Sequence, residues 1–146
     1  MSAPAEAAPR HRILIVDDEE SMRLLLARIL SSALEAEVAL AGTCEQALRL
    51  AGNYAYDAIL LDLLMPGVGG LEVLKEIRRA SPNTATPVII VSMLSDERTR
   101  ENCMAAGASA YATKPVERNA LAALVRLQME SRGRPSPVTP PSRPSA

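Results

Sequence analysis

The sequence predicts an α/β domain, a parallel β-sheet with helices on both faces. Two features carry that expectation. Short unbroken apolar runs, of the kind that form strands buried on both faces, alternate with stretches in which apolar residues recur at helical spacing. Charged and hydroxyl side chains stand immediately after the apolar runs rather than inside them. In open α/β sheets, ligands bind outside the carboxyl ends of the strands.

Ile13-Leu14-Ile15-Val16 is the first apolar run, and it ends at Asp17 and Asp18. Met22, Leu25, Leu26, Ile29, Leu30 and Ala33 then follow at helical spacing. Val38–Leu40 is a weaker strand, followed by Gly42 and a helix over Glu45–Ala51. Ala58–Leu61 is a strand that stops at Asp62. Leu71, Leu74, Ile77 and Arg78 suit a helix ended by Ser81-Pro82, because the residue before a proline is pushed out of helical backbone. Pro87 precedes the clearest strand, Val88–Val91, which runs into Ser92. Asp96 is placed to cap a helix that continues through Met104 and stops at Gly107. Ala108–Ala112 is a short strand, with Lys114-Pro115 beyond it. Leu121, Leu124, Val125 and Leu127 belong to a last helix ending before Gly133. Strands alternating with helices in this way mean βαβ units with right-handed crossovers. Periodicity does not set the strand order.

The chain has 146 residues, 48% of them hydrophobic, which suits one domain with a core that needs no staple. With no Phe and no Trp, Leu, Ile, Val, Met and Ala must fill that core. The domain is expected over residues 11–131. Residues 1–10, rich in Ala, Pro and Glu, and residues 132–146, with Pro135, Pro137, Pro140, Pro141 and Pro144, are expected to be unstructured ends. Pro137-Val138-Thr139-Pro140 matches P-x-x-P and is read as part of the tail. A net charge of −1 and the lack of a basic stripe give no footprint for nucleic acid. No apolar run approaches the roughly 20 residues of a spanning helix, and the start of the chain lacks the apolar core of a signal peptide. A cytoplasmic protein is expected. Cys44 and Cys103 are isolated, and His11 is the sole imidazole. Both cysteines are read as reduced, small hydrophobes rather than metal ligands.

The strand ends hold the chemistry. Just beyond the first strand the chain turns, so Asp17 and Asp18 can both approach one cleft, and Asp62 adds a third carboxylate. Two like unit charges ~4 Å apart cost about 4 kcal/mol at an effective dielectric of 20. Such a site must take up a proton or a cation, and hard oxygen ligands without His or Cys favour Mg²⁺. Lys114 precedes a proline, and a cis bond there would aim its ammonium back at the acids. Ser92 adds a hydroxyl at a fourth strand end. A carboxylate nucleophile, a divalent cation, a hydroxyl and a lysine together suit phosphoryl transfer.

These residues resemble the receiver domain of bacterial two-component response regulators. The resemblance covers about residues 11–131. It rests on Val16-Asp17-Asp18, on Asp62-Leu63-Leu64-Met65-Pro66 with Gly70, on Val91-Ser92, on Gly107-Ala108, and on Tyr111 with Lys114-Pro115. It implies a doubly wound, flavodoxin-like, five-stranded sheet of order 2-1-3-4-5. It implies that Asp62 accepts a phosphoryl group from a histidine kinase or a phosphotransfer protein. Asp18, Asp62 and the backbone carbonyl of Leu64 would bind Mg²⁺ directly, and Asp17 largely through water. Lys114 would pair with phosphoryl oxygens and Ser92 would donate to one of them. Tyr111 would then move from an exposed to an inward rotamer, shifting the population of the face made by the fourth helix, fifth strand and fifth helix. The chain would catalyse only its own phosphorylation and dephosphorylation, and would signal to a downstream protein as a stand-alone regulator.

Four residues depart from the family's pattern. Leu64 and Leu94, two positions after Asp62 and Ser92, are apolar where polar residues are common, so a long-lived phosphoryl group is expected. Met93 replaces a small residue and narrows access for small phosphodonors. Cys44 stands where glycine commonly precedes the second helix. Other readings remain. One takes the chain as the receiver half of a larger regulator, and another as a degenerate receiver acting by contact alone. A phosphatase of the haloacid-dehalogenase type wants Asp-x-Asp at the first strand, against the adjacent aspartates here. A nucleotide or flavin binder wants a full G-x-G-x-x-G, whereas Gly67-Val68-Gly69-Gly70 only follows a proline turn.

Overall fold

A computed structural model describes residues 11–131. The expectations for residues 1–10 and 132–146, the P-x-x-P segment included, lie outside the described residues. In chain order the elements are β1 (His11–Val16), α1 (Glu20–Leu34), β2 (Ala36–Ala41), α2 (Cys44–Asn53), β3 (Ala58–Leu61), α3 (Gly70–Arg79), β4 (Val88–Ser92), α4 (Glu97–Ala105), β5 (Ala110–Thr113) and α5 (Arg118–Ser131).

The strands pair in parallel in the order β2-β1-β3-β4-β5. The two-residue period of each strand divides the interior into two layers. Leu14, Val16, Ile59, Leu61, Val88 and Ile90 face one side, where they meet Ala47 and Ala51 of α2 and Val73, Leu74 and Ile77 of α3. Ile13, Ile15, Leu60, Ile89 and Val91 face the other, against Leu26, Ile29 and Leu30 of α1 and Leu121 and Val125 of α5. Every residue of β3 and β4 is buried, because a strand with helices on both faces has no solvated side. Each of their Val, Ile and Leu side chains contributes roughly 1.5–3 kcal/mol.

Three of the differences in element boundaries from the sequence expectation have a visible physical reason. β2 runs over Ala36–Ala41, longer than Val38–Leu40, because pairing with all of β1 extends it beyond its apolar centre. β5 begins at Ala110, not Ala108. The Ala108 amide is taken by Cys103 O at 3.0 Å as α4 closes. Cys44 is not ahead of the second helix but is its first residue. Thr43 caps that helix by accepting from the Gln46 amide at 3.0 Å, and the Cys44 side chain is buried in the core.

The topology fixes where a site must be. β1 sits between β2 and β3, so the chain leaves β1 toward one edge and later returns to its other side. The crevice at that reversal lies outside the carboxyl ends of β1 and β3. Val16 pairs with Leu61, which puts Asp17 and Asp62 one residue beyond the same rung.

Candidate functional site

Asp17 and Asp62 are 1% and 5% exposed, while Asp18 is exposed at the rim. One carboxylate oxygen from each lies within 4.8 Å of the others. The backbone holds both buried acids in place. The Asp62 amide donates to Val16 O at 2.9 Å and the Asp17 amide to Ala41 O at 3.1 Å. The Asp17 carboxylate accepts from the Glu19 amide at 2.9 Å, and its backbone carbonyl accepts from the Arg23 guanidinium at 2.7 Å.

Lys114 enters from the end of β5. Its bond to Pro115 is cis, and its amide donates to Ser92 O at 2.8 Å. Its ammonium lies 2.8 Å from Asp17 Oδ2 and 3.5 Å from Asp62 Oδ2. Burial alone would lower the Lys114 pKa. The Asp17 hydrogen bond and the charges of Asp62 and Asp17 outweigh that and hold it above its ordinary value. Asp62 is pushed the other way for an acid. Burial raises its pKa, against the Leu64 amide, which donates to Asp62 Oδ1 at 3.3 Å, and against the Lys114 charge. The lysine is thus firmly cationic and Asp62 is incompletely compensated. The oxygen-only donor set fits a hard divalent cation and supplies no soft ligand.

Gly70 lets α3 begin against this acid. A Cβ there would stand 2.2 Å from the Asp62 carbonyl oxygen and 2.7 Å from Leu63 Cα, both backbone atoms that cannot give way. At Gly42 a Cβ would stand 2.7 Å from an Arg23 guanidinium nitrogen, a side-chain end that can shift but would then leave its bond to Asp17 O. Arg23 has no strand-end signature, and its role at Asp17 was not readable from local sequence.

Ser92 is fully buried. Its hydroxyl accepts from the Leu94 amide at 3.2 Å, so in this state it caps the loop that follows β4. Tyr111 departs from the expectation of an exposed rotamer in the unmodified chain. It is 9% exposed, its ring packs in the core layer, and its hydroxyl donates to Leu94 O at 2.6 Å. Burial raises the phenol pKa, with the Ser92 hydroxyl pulling it partly back. Leu64 and Leu94 come together as walls of a cleft of about 300 Å³ shared with Leu71, Thr99 and Cys103. Leu64 remains 51% exposed, and Met93 is 71% exposed at the mouth.

The pattern of the response regulator receiver domain matches residues 13–126. The chain belongs to that family. This receiver is 38% identical over 107 residues to the sensory/regulatory protein RpfC of Xanthomonas campestris pv. campestris, covering 72% of this chain and 15% of that protein. It is 35% identical over 116 residues to the response regulator PleD of Caulobacter vibrioides, covering 79% of this chain and 25% of that one. The curated relatives it matches are longer, and the chain spans from 15% to 52% of their length. Among solved structures, the receiver domain of a sensor histidine kinase from Pseudomonas aeruginosa PAO1 superposes with a TM-score of 0.76 at 30% identity, covering 83% of this chain and 98% of that one. That domain was crystallised with a magnesium ion coordinated in its active-site cleft. A CheY-like receiver from Methanospirillum hungatei JF-1 superposes with a TM-score of 0.77 at 26% identity, over 83% of this chain and 94% of that one. The receiver is a signal-transduction module of two-component systems. Among its described residues no helix is long and apolar enough to cross a membrane.

Proposed function

We propose that this receiver, acting as one unit over residues 11–131, accepts a phosphoryl group on Asp62 from a histidine kinase or a phosphotransfer protein in the cytoplasm. One observation carries the reading. A buried carboxylate, under-compensated by its surroundings, lies 3.5 Å from a buried ammonium, with two further acids within 4.8 Å. In the reaction a carboxylate oxygen of Asp62 attacks the phosphorus of a phosphohistidine. A P–O bond forms and the P–N bond breaks. The electron pair leaves with the imidazole, which carries a proton on its other nitrogen.

Each neighbour has a role in that step. Asp18, Asp62 and the Leu64 carbonyl would hold Mg²⁺, with Asp17 acting largely through water. When bound, the cation neutralises charge on the transferring oxygens. Asp17 anchors the Lys114 ammonium at 2.8 Å, within reach of the same oxygens without further reorganisation. Ser92 is the hydroxyl that donates to a phosphoryl oxygen. Its bond with Leu94 uses the oxygen as acceptor, so that contact does not occupy its proton. Tyr111 and the β4–α4 loop transmit the change to the α4-β5-α5 face, where a downstream protein reads it.

The test is Mg²⁺-dependent transfer of label from a phosphorylated kinase or a small phosphodonor. Label should be acid-stable and base-labile, as an acyl phosphate is, and absent from Asp62→Asn. Label that persists in Asp62→Asn places the acceptor elsewhere. No label from any donor favours a receiver that works by contact alone.

A further inference from the structure

Tyr111 and Leu94 form a clamp that does not involve Asp62. The loop between β4 and α4 is held at one residue from three directions. The Leu94 amide donates to Ser92 Oγ at 3.2 Å. The Leu94 carbonyl accepts from the Tyr111 hydroxyl at 2.6 Å. The Leu94 side chain is half-buried as part of the wall of the cleft it shares with Leu63, Leu64 and Leu71. A polar residue there would lose the apolar contact, and the carbonyl would lose its fixed direction.

The other side of the ring is also covered. Arg100 of α4 places its guanidinium carbon 5.8 Å from the Tyr111 ring centroid, within the range of a cation–π contact. The helix carrying it is fixed at its start, where Asp96 accepts from the Thr99 amide at 3.0 Å and from its hydroxyl at 2.8 Å. Hydroxyl and ring are thus both engaged while Asp62 is unmodified.

From this geometry we propose that Leu94 and Arg100 are positioning residues that hold Tyr111 inward before any phosphoryl group arrives. The signalling face then rests in its inward form. A partner that reads this face binds the unmodified chain, and modification of Asp62 adds little to the rearrangement. The inference rests on the proposed role of Tyr111 in the switch, and its test separates the two.

The chain has three tyrosines and no tryptophan, so 3-fluorotyrosine gives three ¹⁹F signals, assigned by single Tyr→Phe changes. Tyr54 and Tyr56, remote from the loop, serve as internal controls. In the whole unmodified chain the Tyr111 signal should stand well away from its urea-unfolded position. Mg²⁺ with beryllofluoride, a stand-in for the phosphoryl group, should move it by only a small part of that separation. Leu94→Ser should move the signal toward the unfolded position, and beryllofluoride should then draw it back. Arg100→Ala should shift the inward-to-outward ratio by about two- to five-fold, the size of an exposed cation–π contact, with Arg100→Lys recovering part of it. A Tyr111 signal at the unfolded position in the unmodified wild type, moving inward only with beryllofluoride, overturns the proposal. So does a signal that neither substitution moves. If beryllofluoride leaves the amide signals of Asp62 and Leu64 unchanged, the acceptor role of Asp62 fails instead, and the Tyr111 signal of the unmodified chain still decides the clamp.

Discussion

The two ends of the sheet treat buried polarity in opposite ways. Five polar or charged residues are buried as whole residues among the described ones. Asn83 and Thr86 lie at the amino ends of β3 and β4, and Asp17, Asp62 and Ser92 at the carboxyl ends. At the amino end the polar groups are matched to partners. The Asn83 amide nitrogen donates to Ala51 O and Tyr54 O, both at 2.7 Å, and its oxygen accepts from the Tyr56 amide at 2.8 Å and the Thr86 hydroxyl at 2.9 Å. That uses the whole capacity of the group. Beside it Arg78 donates to the carbonyls of Gly107, Asn83, Thr84 and Thr86. At the carboxyl end three carboxylates face one ammonium. One end is built for stability, and the other keeps an imbalance that only a cation or a proton relieves.

Substitutions should therefore change stability with opposite sign at the two ends. The largest effect is expected for Asn83→Ala, which orphans buried backbone groups of Ala51, Tyr54 and Tyr56. At about 1–3 kcal/mol for each unsatisfied group, a loss of about 3–5 kcal/mol in urea unfolding is expected, with Mg²⁺ binding of the folded fraction intact. A loss below 1 kcal/mol would break the comparison. Asp62→Asn should do the reverse, gaining about 1–2 kcal/mol because one desolvated carboxylate of three is removed while Asp17 still partners Lys114, or ~3–6 °C in Tm for a domain of this size. A destabilised Asn variant would mean that Asp62 is compensated after all.

Mg²⁺ should stabilise the wild type by about 1.4 kcal/mol at ten times its dissociation constant, with the gain lost in Asp18→Asn. Calorimetric scans with and without the cation read this directly. The pH dependence follows from the sign of each shift. The Asp62 pKa is raised on folding, so the folded state binds its proton more readily. The cost of its charge is present at neutral pH and is relieved as pH falls through the raised value toward the ordinary carboxylate range. Lys114, also raised, contributes stability that is complete below its ordinary value and is lost as pH rises through the folded one. Without Mg²⁺, Asp62→Asn should flatten the first dependence and weaken the second, because the Asp62 charge is one of those that raise the Lys114 pKa. The smallest effect concerns lifetime. Leu64→Asn should shorten the half-life of the phosphoryl group several-fold by giving water a polar neighbour. A wild-type half-life of seconds would remove the basis for that expectation.

The strand ends were legible because apolar runs and charged residues are local features. Ile13–Val16, Ala58–Leu61 and Val88–Val91 announce buried strands, and the residues that follow them announce a pocket. Arg78 was read only as part of a helical pattern, since its acceptors come from segments later in the chain. Arg23 was missed because its acceptor is a backbone carbonyl back across the turn between β1 and α1, which no side-chain pattern announces. Tyr111 was expected outward, and it is inward because its hydroxyl meets the carbonyl of a residue 17 positions away. The cysteine at position 44 was placed in a turn, because the capping role of Thr43 depends on where the helix starts.

The sequence by itself determined the class of fold, the residues that form the acid pocket and the family to which the chain belongs. The first two follow from periodicity and from polar groups set at the ends of apolar runs, both short-range properties, and the third from the resemblance that the ordered motifs carry. Only the tertiary structure decided which acid meets the lysine, which end of the sheet is saturated and how the loop after β4 is held. These depend on close contacts between residues far apart in the chain, and a hydrogen bond is made or lost within about an ångström.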